Sequence, residues 1–257
     1  MDNHLSSVKN GCKLLKLFLD SPKELGVSDL SRKLELSKGA VHKLLMTLES
    51  EGFIKQNPAT KQYSLGYTLL ELGNKVLKNH NLVDFARPFL TQLSDKTKEL
   101  VTLCVIDGQD AIYVDKIDSQ YPIRFNAEEH RRFPMYATSA ARAILAYRDD
   151  TFIDDVLGDQ LKTYTAYTIT DVDTMKRRLK DIRTNGYELS SNLRNVGATG
   201  IAAPIFDADG KAIASVSVIG PSDRMLPFHE RWIQEVVEIT RAISHELGYR
   251  GTGAAEV

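Results

Sequence analysis

Apolar positions recur at helical spacing through the first 80 residues and at strand-like, alternating spacing through much of the remainder. The sharpest helical stripe is Val41, Leu44, Leu45 and Leu48, which share one face of a helix. Ser37 precedes it and can accept a free backbone N–H as an N-cap. Gly52 follows Glu51 and suits the left-handed residue that ends a helix. Ahead of this stripe, Ser28 is expected to cap a shorter helix carrying Leu30 and Leu34. The link through Glu35, Leu36 and Ser37 has the length of a helix-turn-helix connection. After Gly52, residues 53–55 and 62–65 flank a turn at Asn57-Pro58-Ala59-Thr60 and read as a β-hairpin.

Helix, turn, helix and hairpin in that order predict a winged helix-turn-helix that reads DNA. The face of the second helix away from the leucines carries Lys38, Gly39, His42, Lys43 and Thr47. The lysines can meet phosphates, and His42 can bond a base edge or a phosphate. The small residues Gly39 and Ala40 would let the start of that helix approach DNA closely. Ser28, Ser37 and the hairpin donors Lys55, Lys61 and Gln62 complete the expected DNA-facing set. An ordinary helical hairpin with a solvated charged face would show the same stripe. It would not call for the basic hairpin that follows.

Elsewhere, residues 6–19 read as a helix with Val8, Cys12, Leu15 and Leu19 on one stripe, packed under the second helix of the pair. Residues 67–78 form a connecting helix, with a domain boundary near His80-Asn81, and residues 82–97 a further helix with a kink or irregularity at Pro88. Strand patterns at 100–106 and 111–117 flank Asp107-Gly108-Gln109-Asp110, a hairpin turn signal. A second hairpin joins 201–206 and 212–219 around Asp207-Ala208-Asp209-Gly210. Short strands are expected at 123–126 and 187–189, and helices at 139–147, 174–184 and 228–247. The whole reads as α+β: a winged helix-turn-helix over 1–66, a linker helix over 67–81, a second domain of hairpins and helices over 82–250 and a disordered tail over 251–257.

Composition supports a two-part chain. Its 257 residues are 42% hydrophobic and 26% charged, the profile of a soluble globular protein. The net charge of −1 conceals a division: residues 1–80 hold 12 Lys and Arg against 8 Asp and Glu, leaving 21 against 26 for the rest. A basic front on a mildly acidic body fits a DNA reader joined to a part that does not touch DNA. No apolar run reaches the ~20 residues of a membrane span, and the N-terminus lacks a signal-peptide core, so a cytoplasmic location and no membrane partner are expected. Cys12 and Cys104 read as small buried hydrophobes rather than a disulfide or metal pair. No HxxxH, CxxC or GxSxG pattern is present, and His130 and His229 lie far apart, so no metal, cofactor or enzymatic activity is expected.

Four segments carry a family resemblance: SKGAVHKLLMTLESEGFI, KQYSLGYTLLELG, YATSAARAILA over 136–146, and GATGIAAPIFDADGKAIASVSVIGP over 197–221. With them the chain resembles the IclR family of bacterial transcriptional regulators over nearly its full length. The resemblance implies a winged helix-turn-helix followed by a GAF-like effector domain. It also implies a homodimer, commonly a dimer of dimers, on pseudo-palindromic double-stranded operator DNA, and a small-molecule effector, often an organic, aromatic or sugar acid. The function expected is a ligand-responsive regulator of a catabolic operon, a repressor before an activator. A GAF-like enzyme and a protein-binding winged helix are the alternatives. The first lacks a nucleophile or redox pair, and the basic front half opposes the second.

For the effector, Tyr136, Thr138, Ser139 and Ala140 open a helix of small residues whose free N–H groups could hold a carboxylate. A plain capped helix packed on a sheet explains the same residues, and both readings stand at this point. The polar loop with Ser190, Asn192 and Arg194 leads to Gly200. Arg194 could pair with a carboxylate or simply be solvated. In the family this loop usually carries acids and the Gly200 position a cysteine. Leu193, Asn195 and Gly200 therefore imply a roomier, less negative pocket, with Ile219 making one wall apolar. Ser215 and Ser217 alternate on the last strand, and Ser217 matches a ligand-facing family position. Tyr113, Arg124 and Phe125 are more remote candidates. The ligand expected is an anion larger than a two-carbon acid.

Overall fold

A computed structural model describes residues 4–19, 21, 24–79, 81–127, 129–158 and 160–251. The chain forms two compact units, residues 1–80 and 81–257.

The first unit holds α1 (Ser6–Lys16), α2 (Val27–Leu34), α3 (Lys38–Ser50), the strands β1 (Ile54–Gln56) and β2 (Tyr63–Leu65), and α4 (Tyr67–Asn79). Its core is Leu14, Phe18, Leu25, Leu30, Val41, Leu45, Ile54 and Tyr63. Leu44 and Leu48 pack against that core, so the apolar stripe of α3 is buried as its spacing predicts. Ser37 caps α3, its hydroxyl accepting the Ala40 N–H at 3.2 Å. Between α2 and α3, Glu35 adopts the left-handed conformation. The Ser31 hydroxyl donates to the Leu36 carbonyl at 2.6 Å and closes the turn.

Three expectations in this unit are corrected. The N-cap of α2 is Gly26, in extended conformation and with no side-chain bond, and Ser28 lies inside the helix, exposed. In α1 the buried residue is Leu14, joined by Phe18 beyond the helix, whereas Val8 and Leu19 are exposed. Cys12 is exposed as well, and of its expected stripe Leu15 packs against the core.

The wing is a small three-part sheet. Leu25 and Tyr63 exchange both backbone hydrogen bonds at 2.9 Å, adding a bridge to the β1–β2 pair. The Asn57 side-chain carbonyl accepts the Ala59 and Thr60 N–H groups and shapes the turn. Glu24 holds this turn down: its carboxylate accepts the Asn57 amide at 2.7 Å and the Thr60 hydroxyl at 2.9 Å. Lys61 lies in the left-handed region, and Gln62 sits in the turn rather than on a strand.

The second unit is built on a six-stranded antiparallel sheet, with α5 (Asn81–Thr97), β3 (Leu100–Asp107), β4 (Asp110–Ile117), β5 (Arg132–Pro134), α6 (Ser139–Leu145), α7 (Asp150–Leu157), α8 (Val172–Asn185), β6 (Glu188–Ser191), β7 (Ala198–Phe206), β8 (Ala212–Pro221), α9 (Ser222–Met225) and α10 (His229–Glu246). The strand order is β5-β4-β3-β8-β7-β6. Both hairpins form around the turns that their Asp and Gly residues signal. Residues 123–126 form no strand, and the edge position belongs to β5 instead. The last strand before β7 starts at Glu188, so Ser190 belongs to it rather than to a loop. Pro88 lies inside a helix that continues through it. Of the tail expected over 251–257, all but Gly251 lies outside the described residues.

The two faces of this sheet differ in size of side chain. One presents Val101, Leu103, Ile201, Ala203, Ile205, Val216 and Val218 to α5 and α10. The other presents Thr102, Gly200, Ala202, Ser215 and Ser217 beneath α6, whose own residues are Ser139, Ala140, Ala141 and Ala143. Small residues on both sides let helix and sheet approach closely. The buried hydroxyls find partners there: Ser215 donates to the Ala140 carbonyl at 2.7 Å, and Ser217 bonds Thr102 at 2.7 Å.

At the base of the wing, a Cβ on Gly66 would lie 2.1 Å from the Gly52 carbonyl oxygen. The Gly66 N–H donates to the Phe53 carbonyl at 2.8 Å, which holds the two strands of chain at that spacing. Gly66→Ala is expected to force them apart and destabilise the first unit by about 1–3 kcal/mol. Hydrogen exchange of peptides covering residues 52–68 checks this, with faster exchange there and unchanged protection in β7 and β8.

Candidate functional site

The exposed face of α3 is open. Lys38, Gly39, His42, Lys43 and Thr47 are all exposed, and Ala40 is half-buried. The α3 N-terminus thus presents two lysines and a histidine on the side away from Val41 and Leu45. Lys55 and Lys61 on the wing are exposed, with the Lys55 ammonium 5.1 Å from the centre of the Tyr67 ring. The nearest acid on α3, Glu49, is turned to the wing and accepts the Gln56 N–H at 3.1 Å.

In the second unit a cavity of about 380 Å³ opens between α6, β6, β7 and residues 125–127 and 131–133. Of the residues expected at a ligand, Thr138, Ser139, Ser190, Arg194 and Gly200 line it, and so do the more remote candidates Tyr113 and Phe125. The others do not. Ala140 is fully buried, and Ser215 and Ser217 are occupied beneath α6 as described. Asn192 is left-handed and shapes its own loop, accepting the Gly197 N–H at 2.7 Å. The Tyr136 hydroxyl accepts the Lys162 N–H at 3.2 Å, outside this cavity, and Arg124 points to the Ser119 carbonyl.

Two further expectations change. Gly200 does not enlarge the cavity: a Cβ there would meet the Ser139 hydroxyl at 2.5 Å, so Ser139 already fills that space. The start of α6 is a modest anion site, because the helix has seven residues and the Thr138 hydroxyl already accepts the Ala141 N–H at 3.2 Å.

The charge of the cavity comes instead from arginine. Arg131, Arg132, Arg142 and Arg194 line it, and none of its described lining residues is acidic. Arg142 is 1% exposed. Its Nε donates to Glu188 Oε1 at 2.8 Å, Nη1 to the Tyr136 carbonyl at 2.7 Å and Nη2 to the Ser190 hydroxyl at 2.9 Å. Glu188 also accepts from Arg178 of α8 at 2.9 Å, so two guanidinium groups share one buried carboxylate. Arg194 lies over the Tyr164 ring, 3.8 Å from its centre. Its loop is strapped by the Thr165 and Thr168 hydroxyls, which donate to the Asn192 and Leu193 carbonyls at 2.7 and 2.8 Å. Burial pushes the Tyr113 phenol up, against the pull of the Thr138 hydroxyl, Arg194 and Arg142, and keeps it a neutral donor. Burial likewise raises the Cys104 thiol, which leaves it a poor nucleophile.

The family profile described as "Bacterial transcriptional regulator IclR C-terminal" matches residues 74–246, and that described as "IclR helix-turn-helix domain" matches residues 7–58. The chain belongs to the IclR family. It is therefore a DNA-binding transcriptional regulator with a helix-turn-helix ahead of an effector-type domain. Among curated relatives, the HTH-type transcriptional regulator KdgR of Escherichia coli is 32% identical over 97% of this chain and 96% of its own length. The crystal structure of Thermotoga maritima IclR superposes with a TM-score of 0.75 at 29% identity, covering 96% of this chain and all of that one. An IclR regulator from Alicyclobacillus acidocaldarius gives a TM-score of 0.82 at 25% identity, covering 95% and 100%.

In this IclR-family chain sequence reasoning missed the exposed Arg131 and Arg132 of the cavity and a buried pair, Arg142 and Glu188. Arg142 stands in a run of alanines and Glu188 after Tyr187, and neither setting signals an ion pair 46 positions apart. A second buried acid, Glu99, accepts from Arg224 at 2.5 and 3.0 Å. Arg224 also donates to the Ile123 carbonyl at 2.9 Å, and so steadies the segment that carries Phe125, Asn126 and Ala127 to the cavity.

Glu188→Ala would leave Arg142 buried without its counter-charge. The expected loss is about 3–5 kcal/mol of stability. Urea denaturation followed by Trp232 fluorescence measures it, and Arg178→Ala, whose partner keeps Arg142, should lose less.

Proposed function

We propose that this regulator is a repressor whose hold on its operator is set by an organic anion bound among Arg131, Arg132, Arg142 and Arg194. The observation that carries this reading is the cavity with four guanidinium groups and no acid among its described lining residues. Arg194 is the side chain most open to a carboxylate, because its present partner is a ring rather than an acid. The cavity's ~380 Å³ and the rings of Tyr113, Phe125 and Phe133 suit an aromatic carboxylate, and Asn126, Asn195 and Ser190 suit a sugar acid.

In this reading residues 1–66 bind DNA, 67–81 connect and 82–250 sense the effector. Ser28, Ser37, Lys38, Gly39, Ala40, His42, Lys43, Thr47, Lys55, Lys61 and Gln62 form or support the DNA-facing surface. The working unit is a homodimer or a dimer of dimers in the cytoplasm. The exposed apolar side chains Leu5 and Val8 on or beside α1, and Tyr67, Leu70 and Leu72 on α4, offer it an interface. Effector binding shifts the population of dimer arrangements that match the operator half-sites. No described helix is long and apolar enough to cross a membrane.

Calorimetry with a panel of sugar acids and aromatic carboxylates, set against neutral sugars and phenols, tests the effector class. Acids are expected to bind and neutral analogues of the same shape to bind at least tenfold more weakly. Arg194→Ala should weaken the acid by about 10- to 100-fold, the worth of a charge-assisted hydrogen bond. Equal binding of acid and neutral analogue would sink the proposal.

On the DNA side, Lys38→Ala and Lys43→Ala should each reduce the slope of log K against log salt by about 1. An unchanged slope for both would mean that α3 does not face phosphate.

A further inference from the structure

On the reading that α3 enters the major groove, we infer that Met46 reads the methyl group of a thymine through the gap that Gly39 leaves. Met46 is 57% exposed, although its neighbours Val41 and Leu45 are fully buried. It stands seven residues after Gly39, nearly two helical turns, so the two lie on one line along the helix. That line faces directly away from the core of the first unit. His42 and Lys43 flank it on either side.

Three features of this face favour apolar reading. A Cβ on Gly39 would meet nothing within 4 Å, and its backbone is not left-handed, so no packing or conformational demand of the protein calls for glycine there. Glycine weakens an exposed helical position relative to alanine, and its use here is explained by a body outside the protein that approaches closely. The hydroxyls further along the helix are occupied as donors: Thr47 gives its proton to the Lys43 carbonyl at 3.0 Å and Ser50 to the Thr47 carbonyl at 2.8 Å. Met46 is then the central side chain of the face, flexible, apolar and with only a weak acceptor. In the major groove the C5-methyl of thymine is the apolar group a base pair displays.

The occupant is nucleic acid rather than an apolar protein surface because of the surrounding charge. Lys38 and Lys43 bracket the patch, and the acid of the same helix, Glu49, is drawn to the wing.

The full-length chain is used to select duplexes from a randomised library. Each thymine of the enriched site is then replaced by uracil, which removes only the methyl. One thymine in each half-site is expected to show about fourfold weaker binding of the wild type on this replacement, the worth of one buried methyl. Met46→Ala should bind the thymine and uracil duplexes alike. A methyl effect of equal size in both proteins, or no thymine with an effect, overturns the inference. Gly39→Ala should raise the thermal midpoint and weaken the selected duplex, and a variant that binds as well as wild type counts against the close approach. If the wild type enriches no sequence and Lys43→Ala binds the library as tightly, DNA reading by α3 itself fails and takes the inference with it. A sound α3 reading with a failed methyl assignment gives an enriched site whose uracil forms bind normally.

Discussion

A guanidinium group taken fully out of water governs the second unit. Arg142 satisfies its cost of desolvation through the Tyr136 carbonyl before α6 and through Glu188 and Ser190 of strand β6, two stretches of chain about 50 residues apart. Arg178 joins the same carboxylate from α8. The segment before α6, the edge strand β6 and helix α8 are thereby brought to one point. Arg142 also lines the cavity, so the interaction that assembles this wall fixes one of its four guanidinium groups in place.

The asymmetry of the sheet makes that arrangement possible. On the α5 and α10 side, branched side chains fill the space between helix and strand. On the α6 side, glycine, alanine, serine and threonine let the helix settle close, with Ser139 occupying the place a side chain at position 200 would take. The hydroxyls buried by this approach bond to each other or to a helix carbonyl. What appears in the strand as a row of polar residues is thus a packing solution, and the cavity is lined from elsewhere as well, by residues 125–127 and 131–133 and by Leu193, Arg194 and Asn195.

This explains which features were legible in the sequence. The period of Val41, Leu44, Leu45 and Leu48, with Ser37 ahead and Gly52 behind, specifies a helix by local rules, and the family segments place the effector unit. Local rules fail where a partner is remote or absent. Alternating serines at 215 and 217 look like a ligand wall until the Ala140 carbonyl and Thr102 are seen to take them. Arg142 among alanines carries no mark of its carboxylate. Met46 is as apolar as Leu45, and only its exposure in the structure separates the two. Ser28 has the residue type of a cap, but Gly26 already supplies the extended backbone that starts the helix.

The hold of Glu24 on the wing turn bears on how such a regulator diverges. Asn57 and Thr60 both depend on one carboxylate from a distant part of the chain, so an insertion or a change of residue in the turn breaks contacts that set its shape. The outer face of α3 carries no such obligation: Gly39, His42, Lys43 and Met46 are exposed and can vary with little effect on the core beneath. If α3 reads DNA as proposed, substitutions along its outer face would change the operator read without disturbing the contacts that shape the wing.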